Sequence, residues 1–452
     1  MSKGTVRKRK LSEVIAEQLM EDIQARGWPV GQSIGTEAEL MSRFNVSRAT
    51  IAEAARQVER HGAALMRRGV GGGLVVTSSA VAASSRAVST YLELSNVTIA
   101  EQYEAVRVIE TQAARFAAEN ISESHIHDLR ARAAEVAAAP DNLTLNSLAM
   151  QLRIAVADAS GCPPIGLFQR ALARVLTAYV RPDLRVESRD REFELRIAAD
   201  LSQIVEAIAA GDASLAEHIV RNDALRRENR ANQIAASRPI LTKGPLRRDS
   251  PTKLAEQVAF AIRDDIAASG WPTGAKLGDE AELPGRYGVS PWVLRQAVRI
   301  LEPHGVVRMR RGQGGGLFVG RPSPDYTVEC AVAYLRSTGI LVVDVLSLRQ
   351  RIFQSVAQLA ALRASPSDHA RLREIAESSA SRAETHRQFC ALLGDLCRNQ
   401  VLSLFCAILD SFVSKNLTSE RHDKNARVAV IEAIIAGDGA LARRRINLYL
   451  SS

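Results

Sequence analysis

One block of sequence occurs twice, and this repetition constrains the fold more than any other feature. Gly27-Trp28-Pro29 returns as Gly270-Trp271-Pro272, Glu37-Ala38-Glu39-Leu40 as Glu280-Ala281-Glu282-Leu283, Val46-Ser47 as Val289-Ser290, and His61-Gly62 as His304-Gly305. Arg67-Arg68-Gly69 with Gly71-Gly72-Gly73 returns as Arg310-Arg311-Gly312 with Gly314-Gly315-Gly316. The spacing is 243 residues at every point, so the blocks align without a gap. A chain of 452 residues repeated in this way is two related units in series.

Each block reads as a winged helix-turn-helix. Thr36 and Glu39 stand at the N-cap and N3 positions of a capping box, and Asp279 and Glu282 take the same places in the second block. The helix they start ends near Phe44-Asn45 and near Tyr287-Gly288, where Asn or Gly accepts the left-handed turn. Ser47 and Ser290 cap the following helix, with Pro291 at N1. Ile51, Ala54, Ala55 and Val58, and likewise Leu294, Ala297, Val298 and Leu301, give that helix one apolar face. Two short strands around a glycine turn follow, ending in Leu74-Val75-Val76. A short helix pair and a basic, glycine-tipped hairpin suit DNA, the second helix entering the major groove and the hairpin lying along phosphate. A P-loop is excluded, because a strand and not Lys-Ser/Thr follows Gly71-Gly72-Gly73.

Both blocks resemble the DNA-binding domain of the GntR family of bacterial transcription regulators. The shared pattern is the G-x-x-pG-x-x-L-x-x-E-x-x-L run, the V-S-R-x-T-V-R-E-A recognition helix and the R-x-G-x-G-x-x-V wing. The helical stretches behind each block resemble the family's FadR-type (FCD) effector domain. Their marks are Ala159-Ser160-Gly161-Cys162-Pro163, and Ala207-Ile208 with Gly211-Asp212, repeated as Ala433-Ile434 with Gly437-Asp438. The implied fold is mainly α: two winged helix-turn-helix domains and two all-α bundles. The boundaries are 1–78 and 251–321 for the DNA-binding domains, 79–236 and 322–452 for linker and bundles, and 237–250 for the interdomain linker. The DNA-contacting residues implied are Ser47, Arg48, Thr50, Arg67, Arg68 and Gly71 in the first copy. In the second they are Ser290, Trp292, Arg295, Arg310, Arg311 and Gly314.

Of three arginines that recur in the family's DNA-binding domain, the first is Ala38 here and Ala281 in the repeat. The second is Arg48 in copy one and Pro291 in copy two; the third is Ala52 in copy one and Arg295 in copy two. Each domain keeps a different one, which implies two unlike half-sites rather than a palindrome.

The remaining composition fits this picture. With 46% hydrophobic and only 4% aromatic residues, alanine-rich helical packing is expected rather than a sandwich. The formal charge of +9 permits an anionic partner. A basic tail, Lys3 to Lys10, reads either as a solvated end or as a phosphate-tracking arm. Residues 77–89, rich in Ser and Ala, read as a linker with some helical character. Helical patterns cover Glu101 to Asn120, Leu145 to Ser160, Ile165 to Val180, Arg191 to Ala210 and Ser214 to Asn232. The second bundle is shorter by about seventeen residues, expected in its loops. No signal peptide or membrane-length run is read, and the five cysteines have no metal-type spacing, so a reduced cytoplasmic setting is expected.

Many effector domains of the family hold a divalent metal through an Asp and a His one turn apart plus two histidines. Carried over, those positions read Ala149, Arg153, Leu201 and Asp223 in the first bundle, and His386, Cys390, Arg427 and Tyr449 in the second. Neither set supplies enough donors, so no metal or other cofactor is expected. Effector contacts fall instead on Arg153, Arg349 and His386, and on Arg107, which lies beside Val106 where the second bundle has Arg349. His386 and Cys390 share a helix face; a reactive thiol is the sharper reading and a buried small residue the plainer one.

The expected partners are a double-stranded DNA operator and an unidentified small-molecule effector, with no membrane. The two halves are expected to pair within the chain, with further dimerisation of chains open. The competing reading is a sensor or assembly protein whose helix-turn-helix blocks have lost specific DNA binding. A fused pyridoxal-phosphate enzyme is excluded, because a second regulator copy fills the space that such a domain needs.

Overall fold

The computed structural model describes residues 11–26, 29–60, 63–67, 69, 72–77, 80–95, 97–179, 191–237, 251–310, 312, 314–378, 380–416 and 423–451. The basic tail, the linker 238–250, and Arg68, Gly71 and Arg311 of the wings lie outside them.

The first DNA-binding domain is α1 (Leu11–Ala25), α2 (Glu37–Phe44), α3 (Arg48–Arg60), β1 (Ala64–Arg67) and β2 (Gly73–Val76). Its capping box is complete: Thr36 Oγ1 accepts from Glu39 N–H, and Glu39 Oε2 accepts from Thr36 N–H at 2.7 Å. Asn45, at φ 49°, turns the chain between α2 and α3. Ile15, Leu19 and Ile23 of α1 meet Leu40, Ile51, Ala54 and Val58 in one core. The strands pair antiparallel, Ala64 opposite Val76 and Arg67 opposite Gly73. Gly73 is required there: its φ is +120°, and a Cβ would sit 2.5 Å from the Gly35 carbonyl oxygen.

The second copy comprises α11 (Pro251–Ala268), β3 (Lys276–Gly278), α12 (Leu283–Tyr287), α13 (Pro291–Leu301), β4 (Val307–Arg310) and β5 (Gly316–Val319). It departs from the expected capping box. Asp279 pairs with Lys276 at 2.6 Å, and the helix starts only at Leu283, with Glu282 at the N-cap and no side-chain cap. The cause is Pro284, which has no N–H to bond back to the turn preceding it and so is placed near the helix start. A third strand, not expected from the sequence, completes the order β3-β5-β4.

Behind the first domain come α4 (Ala80–Leu94), α5 (Ile99–Asn120), α6 (Glu123–Ala137), α7 (Asn142–Ala159), α8 (Pro163–Tyr179), α9 (Arg191–Ala209) and α10 (Ala213–Ser237). Behind the second come α14 (Asp325–Ser337), α15 (Val342–Arg363), α16 (Pro366–Glu377), α17 (Arg382–Leu396), α18 (Gln400–Asn416), α19 (Lys424–Ile435) and α20 (Gly439–Ser451). The stretch read as a linker is thus largely the helix α4. The shortening is not confined to loops: α19 has 12 residues where α9 has 19.

The two bundles share one hydrophobic core. Phe168 and Phe405, each the sixth residue of its 17-residue helix, stack on one another with centroids 3.9 Å apart and planes within 10°. Helices α4 and α14 cross with reciprocal bonds. Ser84 Oγ donates to the Cys330 carbonyl at 3.0 Å, and Thr327 Oγ1 donates to the Ala87 carbonyl at 3.5 Å. Ser84 and Thr327, like Ala87 and Cys330, are 243 residues apart, so repeat equivalents exchange the same contact about a local two-fold. One clamp breaks the symmetry. Arg363 forks onto the buried Glu104 at 2.8 and 3.0 Å, and Asn399 donates to the same carboxylate at 2.8 Å. The equivalents of Glu104 and Arg363 are Ser347 and Asn120, which cannot form such a pair.

The second DNA-binding domain docks on the first half. Leu94, at the end of α4, is buried in that domain's core, and Arg263 of α11 donates to the Glu93 carbonyl at 2.8 Å.

Candidate nucleic-acid interface and buried ion clusters

The recognition helices α3 and α13 each turn one apolar side to their core and leave the other in solvent. Ser47 Oγ lies 3.0 Å from Thr50 Oγ1 and 3.3 Å from Thr50 N, a side-chain turn that starts α3. Ser290 Oγ likewise accepts from Val293 N–H at 3.3 Å. Arg48 is 78% exposed, and its Nε is 3.1 Å from both oxygens of Glu37. Arg295 is 57% exposed, with Nη1 3.9 Å from Glu280. Glu37 and Glu280 are repeat equivalents, although Arg48 and Arg295 are not. Two different positions therefore place a guanidinium beside the same carboxylate position at the mouth of the motif.

Trp292 is half exposed on the outer side of α13, and Arg299, two turns further, is exposed with it. Sequence reasoning passed over Arg299; its spacing of seven from Trp292 was the available signal. Arg67 and Arg310 are exposed at the ends of β1 and β4, the latter lying 4.3 Å from the Phe318 ring centre. Gly314 is exposed at φ +76° in the second turn.

Deep in the second bundle, the family's metal positions surround an arginine. Arg349 is 1% exposed; its Nε donates to Asp410 at 2.5 Å and its Nη2 to His386 Nε2 at 2.8 Å. Arginine only donates, so His386 Nε2 accepts and Nδ1 carries the proton that it gives to the Tyr449 hydroxyl at 2.7 Å. Donor atoms of His386, Cys390 and Asp410 lie within 4.8 Å of one another. Asp410 was missed because it stands on α18, outside the carried-over set. The trio does not suit a metal as arranged, because a guanidinium already engages two of its members. Burial, then the Asp410 charge, pushes the Cys390 thiol well above its usual range, which argues against the reactive-thiol reading. Arg427 is buried nearby, and its Nε has no hydrogen-bond partner among the described residues.

The first bundle places a different ion cluster at the same depth. Arg153 Nη2 donates to Asp223 at 3.2 Å, and Arg227 donates to Asp223 at 2.9 Å and also to Glu110. Gln169 donates to Glu110 at 3.1 Å. Burial raises the Asp223 carboxyl, but the guanidiniums of Arg227 and Arg153 outweigh it and hold it below the usual range. Two cations thus meet two anions. Arg107 is not among them: it faces Glu228 at 3.6 Å and Glu104 at 3.8 Å on the bundle's flank.

Among the described residues, no helix is long and apolar enough to cross a membrane. The model of the bacterial regulatory proteins, gntR family, matches residues 11–73 and again 254–319, and that of the FCD domain matches residues 101–224. An uncharacterized HTH-type transcriptional regulator of Mycobacterium tuberculosis is 28% identical over 212 residues, covering 44% of this chain and 86% of that protein. The putative L-lactate dehydrogenase operon regulatory protein of Escherichia coli is 28% identical over 226 residues, covering 44% of this chain and 85% of its own length. Nearly a whole relative thus corresponds to less than half of this chain. A solved GntR structure from Streptococcus agalactiae superposes with a TM-score of 0.38 at 17% identity, covering 49% of this chain and all of that one.

Proposed function

The chain belongs to the gntR family of bacterial regulatory proteins as a tandem-duplicated transcription regulator, and from there we propose that it acts as a covalent pseudo-dimer on an asymmetric operator. The observation that carries this is the inequivalence of Arg48 and Arg295 on otherwise equivalent helices. Arginine reads guanine through a bidentate fork, worth about 1–3 kcal/mol per good contact. Each guanidinium leaves its glutamate, Glu37 or Glu280, for a guanine edge as the helix enters the major groove. Exposed arginines of the wings then supply the sequence-independent phosphate contacts. Because the two readers sit at different helical positions, they address different bases within their half-sites.

The effector enters the second bundle. There Arg349 takes the Asp410 carboxylate, and a second buried guanidinium, Arg427, has an Nε without a hydrogen-bond partner among the described residues, whereas in the first bundle two guanidiniums meet two carboxylates. A small carboxylate-bearing metabolite supplies the missing anion. The setting is the bacterial cytoplasm, and no cofactor takes part.

Selection from random duplex DNA tests the operator. Arg48→Ala relaxes preference in one half-site and Arg295→Ala in the other. A perfect inverted repeat, or either substitution degrading both halves alike, refutes the asymmetric reader. For the effector, calorimetry against a panel of small carboxylates detects a binder that Arg427→Met loses; a binder unaffected by that change places the effector elsewhere.

A further inference from the structure

A cleft lies between the second recognition helix and the first half of the chain. It encloses about 400 Å³ and is lined on one side by Arg86, Thr90 and Glu93 of α4 and Arg174 of α8. Trp292, Gln296 and Arg299 of α13 line the other, over a floor that includes Phe260 and Ile300. This volume lies in the range that encloses a small organic ligand. Arg86, Arg174 and Arg299 are exposed, and their guanidinium groups make no hydrogen bond or ion pair with any described residue. Three cations that repel one another therefore converge on a cleft whose lining holds two carboxylates, Glu93 and Glu256.

The opposing carboxylates cancel them only in part. Glu93 is buried, and desolvation lifts its carboxyl to about 7 against the pull of Arg174, with Glu256 pushing the same way as desolvation. At neutral pH it is therefore only about half ionised and a weakened counter-charge. The repeat equivalents show that this charge set is only partly inherited from duplication: Arg299 corresponds to Arg56, but the other two arginines have no cationic counterpart. Arg86 corresponds to Glu329, Arg174 to Ser411, Trp292 to Ala49 and Phe260 to Glu17. The equivalent places, on the first recognition helix and first helix of the first copy and on the second bundle, keep one of the three cations and neither aromatic wall.

We propose that this cleft binds a small organic anion, a carboxylate or sulfonate on an aromatic or apolar body, distinct from the ligand of the bundle core. The acidic group lies among the three guanidiniums, and the body stacks on the Trp292 indole. The outer face of α13 is the face that reads DNA under the function proposed above, so the occupant and a duplex exclude one another. The second half-site is thereby released while the first remains available.

The test uses the full chain and the probe 8-anilinonaphthalene-1-sulfonate, whose sulfonate and fused rings match the site. A single saturable site is expected, with energy transfer from Trp292 that falls in Trp292→Phe. Arg86→Glu combined with Arg174→Glu is expected to weaken binding by roughly ten-fold or more. Should the charge reversal impair folding, Arg86→Ala with Arg174→Ala carries the same expectation. Unaltered probe affinity in a folded double variant, or only many weak sites insensitive to both changes, overturns the proposal. A second arm adds operator DNA: the probe is expected to be displaced by DNA in wild type, and simultaneous binding overturns the exclusion. If the chain binds no DNA at all, the operator reading fails while the first arm still decides the cleft.

Discussion

Replacing Arg349 by leucine is the sharpest test of how the second bundle is held together. The guanidinium is 1% exposed and makes its bonds to Asp410 at 2.5 Å and His386 at 2.8 Å. Its removal strands a carboxylate beside an imidazole nitrogen that has lost its donor. Breaking a buried pair by deleting one partner costs roughly 3–5 kcal/mol, whereas removing both partners is far milder. The chain has several domains and need not unfold in one step, so a local readout is needed. Amide hydrogen exchange of α17 and α20, which carry His386 and Tyr449, supplies it. Arg349→Leu is expected to lower their protection roughly 10²–10⁴-fold, the same energy at 1.36 kcal/mol per decade. Arg349→Leu with Asp410→Leu is expected to recover most of it. The single variant also frees the His386, Cys390 and Asp410 donors, so cobalt(II) is expected to bind it and give thiolate charge-transfer absorption absent from wild type. Protection unchanged in the single variant, or a double variant as unprotected as the single, refutes the idea that the guanidinium stands where the family holds its metal.

Other expectations follow from individual contacts. Glu93 has its carboxyl raised from 4.5 to about 7 by burial, so the fold favours its protonated form. The penalty is absent below about pH 4.5, grows through the window to 7 and is full above it, so Glu93→Gln should stabilise the chain by about 3 kcal/mol at pH 8 and by almost nothing at pH 4.5. Thermal melts at the two pH values that show equal gains count against this. Phe168→Ala and Phe405→Ala should each cost about 3–5 kcal/mol by exchange of the shared core. Their double-mutant cycle should show coupling of about 0.5–1.5 kcal/mol, and zero coupling would contradict the stacked pair. Gly316→Ala should disorder the second wing, since its Cβ meets the Gly278 carbonyl oxygen at 2.6 Å. Weaker operator binding with a shallower salt dependence is the expected result, and an unchanged slope rejects it.

What the sequence made legible was local. The repeat, the capping box at Thr36, the left-handed Asn45 and the apolar faces of α3 and α13 are written within a few residues of one another. The second capping box failed for an equally local reason, Pro284, which was in view but outweighed by the match to the first copy. The helix α4 reads in the sequence as a linker with only some helical character, because its Ser and Ala face, with Ser84 and Ala87, shows what it packs on only when α14 is laid across it. The ion clusters were out of reach: Arg153 meets Asp223 across 70 positions, and Arg349 meets Asp410 across 61. Which cation finds which anion at such separations depends on how helices pack, and no spacing in one sequence encodes it. The pairing of Arg48 with Glu37 is 11 residues long and spans the turn of a known motif, so it was within reach of a closer reading.

The clamp of Glu104 with Arg363 and Asn399 has a meaning for descent as well as for structure. In two identical chains every mutation arrives on both sides of the axis at once, so a carboxylate gained at an interface comes with its twin, and a cation must be gained twice to answer it. Joining the halves in one reading frame halves that cost. A lone Glu on one side and a lone Arg on the other then make a lock with one keyhole, and each half comes to recognise its sister copy better than itself. A gene that has gone this far is hard to split again: either half expressed alone has lost the face that it was fitted to, and two copies of the same half present two carboxylates or two cations where the lock expects one of each.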